Sequence, residues 1–376
     1  MVTNVFFTNG LMSTIAASVV AEKLHATDIN ILCVERATNV FKENYFKLNS
    51  MIESYFPWGK VIYIDRMEHV GLLKRRIIRY YKAVKYYKSF KKHLNKNLTE
   101  FGGIDQIYAP MPSMLWSLIK DRTAKLNIIE HSIQEYNLFY SMRNRYSPIT
   151  LFRRCFDYFV GYRFMSRGTI PSRFVFLDGG RCHLIKKKQL EKNVSLVSVN
   201  ASDLIPKIFK HVEKEYQKMF PKEYGEIVDI NAQMNRFKNR YVYLPTAEVP
   251  PNEYNNYLEH QIKDVSLNDS CVLIKNHPLD LNNYLGYFKK YDCKVFTMKY
   301  EINRFLPVEL LMVMLNMPTL WGSYSSSLIY SYWWLGASPI LSEVNSNSAN
   351  QLLLKEYKRF VDDFHNIKVN QRESVL

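Results

Sequence analysis

Residues 4–35, "NVFFTNGLMSTIAASVVAEKLHATDINILCVE", decide the fold. NVFFTN (4–9) has the apolar, aromatic run of a strand, STIAASVVAEKL (13–24) continues as a helix, and INILCVE (29–35) is a second apolar run. Both strands are near-continuously apolar and do not alternate. That is the signature of strands buried on both faces, and a helix between them makes the pair parallel. The turn after the first strand lacks GxGxxG, so a dinucleotide reading is weak and only the Rossmann-like frame is carried forward.

The alternation continues outward from this unit. KVIYID (60–65), IDQIYAP (104–110) and LNIIE (126–130) read as further strands, with a helix over MLWSLIKDR (114–122). RFVFLDGG (173–180) reads as a strand and turn, and DLIPKIFKHVEKEYQKMF (203–220) as a helix around Pro206. The pattern then resumes with strands RYVYLP (240–245), SCVLIKNHP (270–278), CKVFTM (293–298) and SPILSE (338–343). Helices run through 252–265, from Pro307 and through 350–364, and TLWGSYSSSLIYSYWW (319–334) passes from strand to helix. Two α/β domains, 1–235 and 236–376, follow from this order. The expected architecture is GT-B: two Rossmann-like domains facing across a cleft, the closing helix packing back on the N-terminal domain.

A chain of 376 residues, 47% hydrophobic and 14% aromatic, can bury two cores. The amino end has no basic segment before its apolar run, which argues against a signal peptide. No window offers about 18 uninterrupted apolar residues, so no membrane span is expected. The five cysteines (33, 155, 182, 271, 293) are scattered without CxxC, which suggests reduced thiols in a cytoplasmic protein and neither a disulfide framework nor a zinc site. Fifty-one Lys+Arg against 35 Asp+Glu give a net charge of +16, favouring anionic partners. The excess is concentrated in KRRIIRYYKAVKYYKSFKKHLNKN (74–97), ten basic residues and no acid, with apolar positions at helical spacing. Such a helix can lie on an anionic membrane surface or simply be a solvated face. No nucleic-acid motif accompanies it, and no nucleic-acid partner is expected.

In open parallel sheets, ligands bind beyond the carboxyl ends of strands. Three stretches stand there. NIIEHSIQEY (127–136) ends a strand with Glu130 and His131 side by side, followed by Ser132 and Tyr136. LIKNHPLD (273–280) places Lys275, Asn276, His277 and Pro278 where the next sheet's strand stops. A histidine there can neutralise a departing phosphate, though a lone His-Pro is also an ordinary surface turn. WGSYSSSLIY (321–330) puts Ser325, Ser326 and Ser327 at a helix start, where hydroxyls and unpaired backbone N–H groups receive phosphate or merely cap the helix. Glu309, in the first turn after Pro307, can hold a ribose diol or complement the helix dipole.

Taken together the three stretches resemble the bacterial sialyltransferases of the polysialyltransferase and lipooligosaccharide sialyltransferase type. Those families carry acid-acid-Gly, His-Pro and Ser/Thr-Ser/Thr motifs in this order. His277-Pro278 matches the second, Ser325–Ser327 contain the third, and IIEHSIQEY matches the first in position and in its tyrosine. The resemblance implies inverting transfer of sialic acid from CMP-sialic acid to a glycan hydroxyl, with no metal or other cofactor, consistent with the lack of a DxD motif. It implies His277 supporting the leaving CMP, the serines binding its phosphate, and Glu309 holding the ribose. Lys275 and Pro278 are counted with the donor site. The departure lies in the first motif, where Glu130-His131-Ser132 replaces acid-acid-Gly. Either Glu130 is the base, or His131 is and Glu130 orients it. A capsule or lipooligosaccharide acceptor at the inner face of the bacterial inner membrane is implied, the basic helix touching lipid or an anionic acceptor. Competing readings are a transferase for another CMP-sugar such as CMP-Kdo, a GT-B enzyme using a UDP- or GDP-sugar, and a non-enzymatic polyanion or membrane-surface binder.

Overall fold

The computed structural model describes residues 2–8, 10–36, 42–65, 92–110, 124–130, 172–178, 195–245, 252–276, 282–322 and 325–342. It divides into two compact units, Met1–Ala201 and Ser202–Leu376.

The first unit is built on seven strands, β1 (Thr3–Thr8), β2 (Ile29–Arg36), β3 (Lys60–Asp65), β4 (Gln106–Ala109), β5 (Lys125–Ile129), β6 (Arg173–Leu177) and β7 (Ser195–Val199). They form one sheet in the order β3-β2-β1-β4-β5-β6-β7, every pair parallel. The apolar runs explain the order: β1 is buried at every position and sits in the middle, whereas β7 (SLVSV) is partly exposed and forms an edge. Helix α1 (Leu11–Leu24) follows β1 and α2 (Lys42–Glu53) follows β2. From Leu11 to Ala21, α1 is buried at all but one position, as a helix without a polar face must be. Stacking of Phe6 on Tyr108, ring centroids 4.7 Å apart, packs β1 against β4.

The second unit opens with α3 (Ile205–Met219) and α4 (Pro221–Met234). Its strands β8 (Asn239–Leu244), β9 (Ser270–Ile274), β10 (Lys294–Thr297), β11 (Thr319–Gly322) and β12 (Ile340–Leu341) form an all-parallel sheet in the order β10-β9-β8-β11-β12. Between them run α5 (Tyr254–Ile262), the short helices α6 (Leu285–Phe288) and α7 (Glu301–Phe305), then α8 (Val308–Met314) and α9 (Ser326–Leu335). The order reverses between β8 and β11, and there the strands approach closely. A Cβ on Gly322 would stand 3.0 Å from the Leu244 carbonyl oxygen, tighter than most Cβ contacts, so the spot favours glycine.

Most expected elements stand within a residue or two of where the sequence placed them. Three differences have physical causes. The division falls after Ala201, ahead of the 235/236 position read from the sequence. Ile205, Ile208, Phe209, Val212 and Tyr216 form a buried stripe on α3, and α3 packs on α8 and α9, and α4 on α8, of the second unit. Pro206 lies in the first turn of α3, where its missing N–H costs nothing, and not inside the helix. Strand β7 carries no strand signal in the sequence, because the exposed Ser195 and Ser198 interrupt its apolar run at the sheet edge. Of the basic segment, 92–97 is described and helical; 74–91, the helix expected at 114–122 and the closing helix 350–364 lie outside the described residues. None of the described helices is long and apolar enough to cross a membrane.

Candidate functional site

In the first unit Glu130 directly follows β5 and is 1% exposed. Its backbone N–H donates to the Val175 carbonyl at 3.0 Å, continuing the β5–β6 ladder by one step. Its carboxylate Oε2 accepts the Leu177 N–H at 2.6 Å. A carboxylate that accepts a backbone N–H is fixed in direction. The next strand ends in a second buried acid, Asp178, whose N–H donates to Val199 O at 2.7 Å and whose Oδ2 accepts from Ala201 N at 3.3 Å. Asp178 has φ +58°, a left-handed conformation that aspartate tolerates better than most residues. Two buried carboxylates therefore stand at the ends of adjacent strands, each accepting a main-chain N–H. Glu130 is marked in the sequence by its place at the end of an apolar run; Asp178 is marked only as an acid ahead of two glycines in LDGG (177–180). His131, Ser132 and Tyr136 lie outside the described residues.

In the second unit, three residues far apart in sequence come together. Lys275 is the first residue past β9, its N–H continuing the ladder to Tyr243 O at 2.9 Å, and it is 4% exposed. Its ammonium donates to the Arg304 carbonyl and, at 3.4 Å, to the Asn276 carbonyl. Glu309, 2% exposed, lies in the first turn of α8, which Pro307 starts from the N-cap position. Its carboxylate lies beside the Ser327 hydroxyl and near the Lys275 charge, both of which favour its charged form. Burial is the largest influence on each partner. It lifts the Glu309 carboxyl above its ordinary range and pushes Lys275 down to about 7, Glu309 opposing that fall and Arg304 adding to it.

Ser325 is the N-cap of α9, extended at φ −151°, and its hydroxyl accepts the Ser327 N–H at 3.2 Å. Ser326 opens the helix, half-buried. The serine run thus does both things read from it: Ser325 caps, while Ser327 joins Glu309. Beside Lys275, at the carboxyl ends of β9 and β10, a cavity of about 280 Å³ is lined by Asn276, Asn282, Tyr284, Thr297 and Arg304 among others. Sequence reading did not find Arg304, whose carbonyl and charge both act on Lys275; nothing in its local pattern distinguishes it. His277 and Pro278 lie outside the described residues. Among the described residues no cluster of three metal-ligating side chains occurs.

These two parallel-sheet units define the chain as an α/β protein of GT-B type. UDP-GlcNAc 2-epimerase from Neisseria meningitidis, bound to UDP-GlcNAc, is similar at 12% identity over 96% of this chain and 92% of that one, with TM-score 0.50. An α/β-galactoside α-2,3-sialyltransferase from Photobacterium phosphoreum matches at 11% identity, 97% and 96% coverage and TM-score 0.49. The GT-B domain of a sialyltransferase from Photobacterium damselae matches at 12% identity, 96% and 97% coverage and TM-score 0.47. At such identities the likeness is one of fold, and a fold hosts many chemistries. No protein-family model matches the sequence, and no curated protein matches it.

Proposed function

We propose that the chain is an inverting glycosyltransferase that moves sialic acid from CMP-sialic acid to a hydroxyl of a bacterial surface glycan, without a metal to bind its nucleotide. The observation that carries this reading is the meeting of Lys275, Glu309 and Ser327 beyond the strand ends of the second unit. The His-Pro and Ser-Ser resemblance assigns the donor nucleotide to these same residues. CMP leaves as an anion, so donors and positive charge belong where its phosphate departs. His277 donates to that phosphate, Pro278 shapes the turn, and Ser325 and Ser326 offer the amino end of α9 to it. Glu309 takes the ribose, sharing its carboxylate with Ser327. Lys275 commits two N–H donors to protein carbonyls, so its part is played through the backbone that it holds.

The acceptor hydroxyl gives its proton to a base in the first unit as its oxygen bonds the anomeric carbon and the bond to CMP breaks. Glu130, held by the Leu177 N–H, is the first choice, with His131 the alternative. The acceptor is a capsule or lipooligosaccharide chain, and residues 74–97 bring the enzyme to the anionic inner face of the inner membrane.

The test is direct. CMP should raise the melting temperature and CMP-sialic acid should be consumed, with product found on a panel of glycan acceptors. If CMP gives no shift and CMP-sialic acid survives, the proposal fails. A second reading, a UDP-sugar enzyme, is favoured by the match to the epimerase bound to UDP-GlcNAc. It wins if UDP or UDP-GlcNAc stabilises the protein and CMP does not; CMP-Kdo is run alongside.

A further inference from the structure

Lys275 is a buried amine whose donors are turned to main chain. One of its acceptors, the Asn276 carbonyl, immediately precedes His277 in sequence. The other, the Arg304 carbonyl, belongs to α7, from which the chain passes through Leu306 and Pro307 into α8 and Glu309. Two segments that are remote in sequence, each leading to a residue assigned to the donor, are therefore held by one side chain. Burying an ammonium is costly unless its surroundings compensate it. An apolar residue would fill the same space without that cost, so the ammonium's bonds call for an account. The charged groups facing Lys275 are Glu309 on α8, which favours its charge, and Arg304 on α7, which opposes it.

We propose that Lys275 is a positioning residue: its ammonium ties the carboxyl end of β9, at Asn276, to the carbonyl of Arg304, so that this strand end and the Glu309 helix are held to each other as one body. The assignment of His277 and Glu309 to a nucleotide rests on the function proposed above; the tether itself does not. A tether of this kind matters most for geometry at the reacting bond, where a displacement of about 1 Å can lower the rate about a hundredfold.

The experiment compares the full chain with Lys275→Met, which keeps the length of the side chain and removes its donors. Hydrogen exchange is followed in peptides covering 275–284 and 300–309. Both segments should exchange about tenfold faster in the variant, while α3 is unchanged. With CMP-sialic acid, kcat should fall at least about tenfold while KM and CMP affinity stay within about threefold, as expected when an interaction outside the ground-state contacts is lost. Unchanged exchange in both segments overturns the tether. Loss of CMP affinity with kcat preserved also overturns it, because Lys275 would then be a nucleotide ligand. If the wild-type protein neither binds CMP nor consumes CMP-sialic acid, the functional proposal fails and the exchange comparison still decides the tether. Should Lys275→Met not fold, with Glu309 left buried and uncompensated, the pair Lys275→Met, Glu309→Gln removes both charges and the same exchange comparison applies.

Discussion

Glu130 and Lys275 each continue a strand ladder by one residue and then turn a charged group to a specific main-chain partner. For Glu130 this separates charge from shape. Glu130→Gln keeps an oxygen for the Leu177 N–H, so the melting temperature should hardly change, while transfer should fall by about 10²–10⁴-fold if the carboxylate is the base. Wild-type turnover in that variant would move the role to His131. Glu130→Ala should cost about 1–3 kcal/mol, because it leaves a buried N–H unsatisfied; a chemical denaturation curve measures it. Lys275 and Glu309 give a pH dependence with a definite sign. Lys275 is pushed down from 10.5 to about 7, so its contribution to stability is full above 10.5 and lost as pH falls through about 7. Glu309 is raised from 4.5, so its contribution is full below 4.5 and lost as pH rises through its folded value. A melting-temperature scan should therefore rise from neutral toward alkaline pH in the wild type. That rise should vanish in Lys275→Met.

The elements are set by simple patterns, and their ends by a few particular residues. Gly322 closes β11 beside β8, where a Cβ would press on the Leu244 carbonyl. Gly322→Ala should destabilise the second unit by about 1–3 kcal/mol, the range for forcing extra volume into a packed place. Calorimetry should show this in the second unit and not the first. Ser325→Ala removes the cap of α9 and should cost about 1 kcal/mol. The strands and helices were largely legible because burial on both faces leaves continuous apolar runs, as in β1 and β9. The edge strand β7 was not, since its exposed serines break that signal. The start of α8 was legible from Pro307, and the serine cap from Ser325, because both act on neighbours in sequence.

Taken whole, the chain sets two open parallel sheets in series, each with residues of chemical interest at its strands' carboxyl ends. A nucleotide that binds only the folded protein should stabilise it by mass action, about 2.7 kcal/mol at a hundredfold excess over Kd. A CMP titration of the melting temperature measures this, and Glu309→Gln should blunt it. By itself the sequence determined the alternation of strand and helix, the parallel sense of the sheets and the stretches that end beyond the strands. Those properties depend on hydrophobic periodicity and local turn chemistry, which a single segment carries. Only the tertiary structure decided that Lys275 binds the Arg304 carbonyl, that Ser327 lies beside Glu309, that the Glu130 carboxylate meets the Leu177 N–H, and that α3 belongs to the second unit. Each is a contact between residues distant in sequence. The strand order and the packing that bring them together are set by burial summed over whole elements, which no local motif contains.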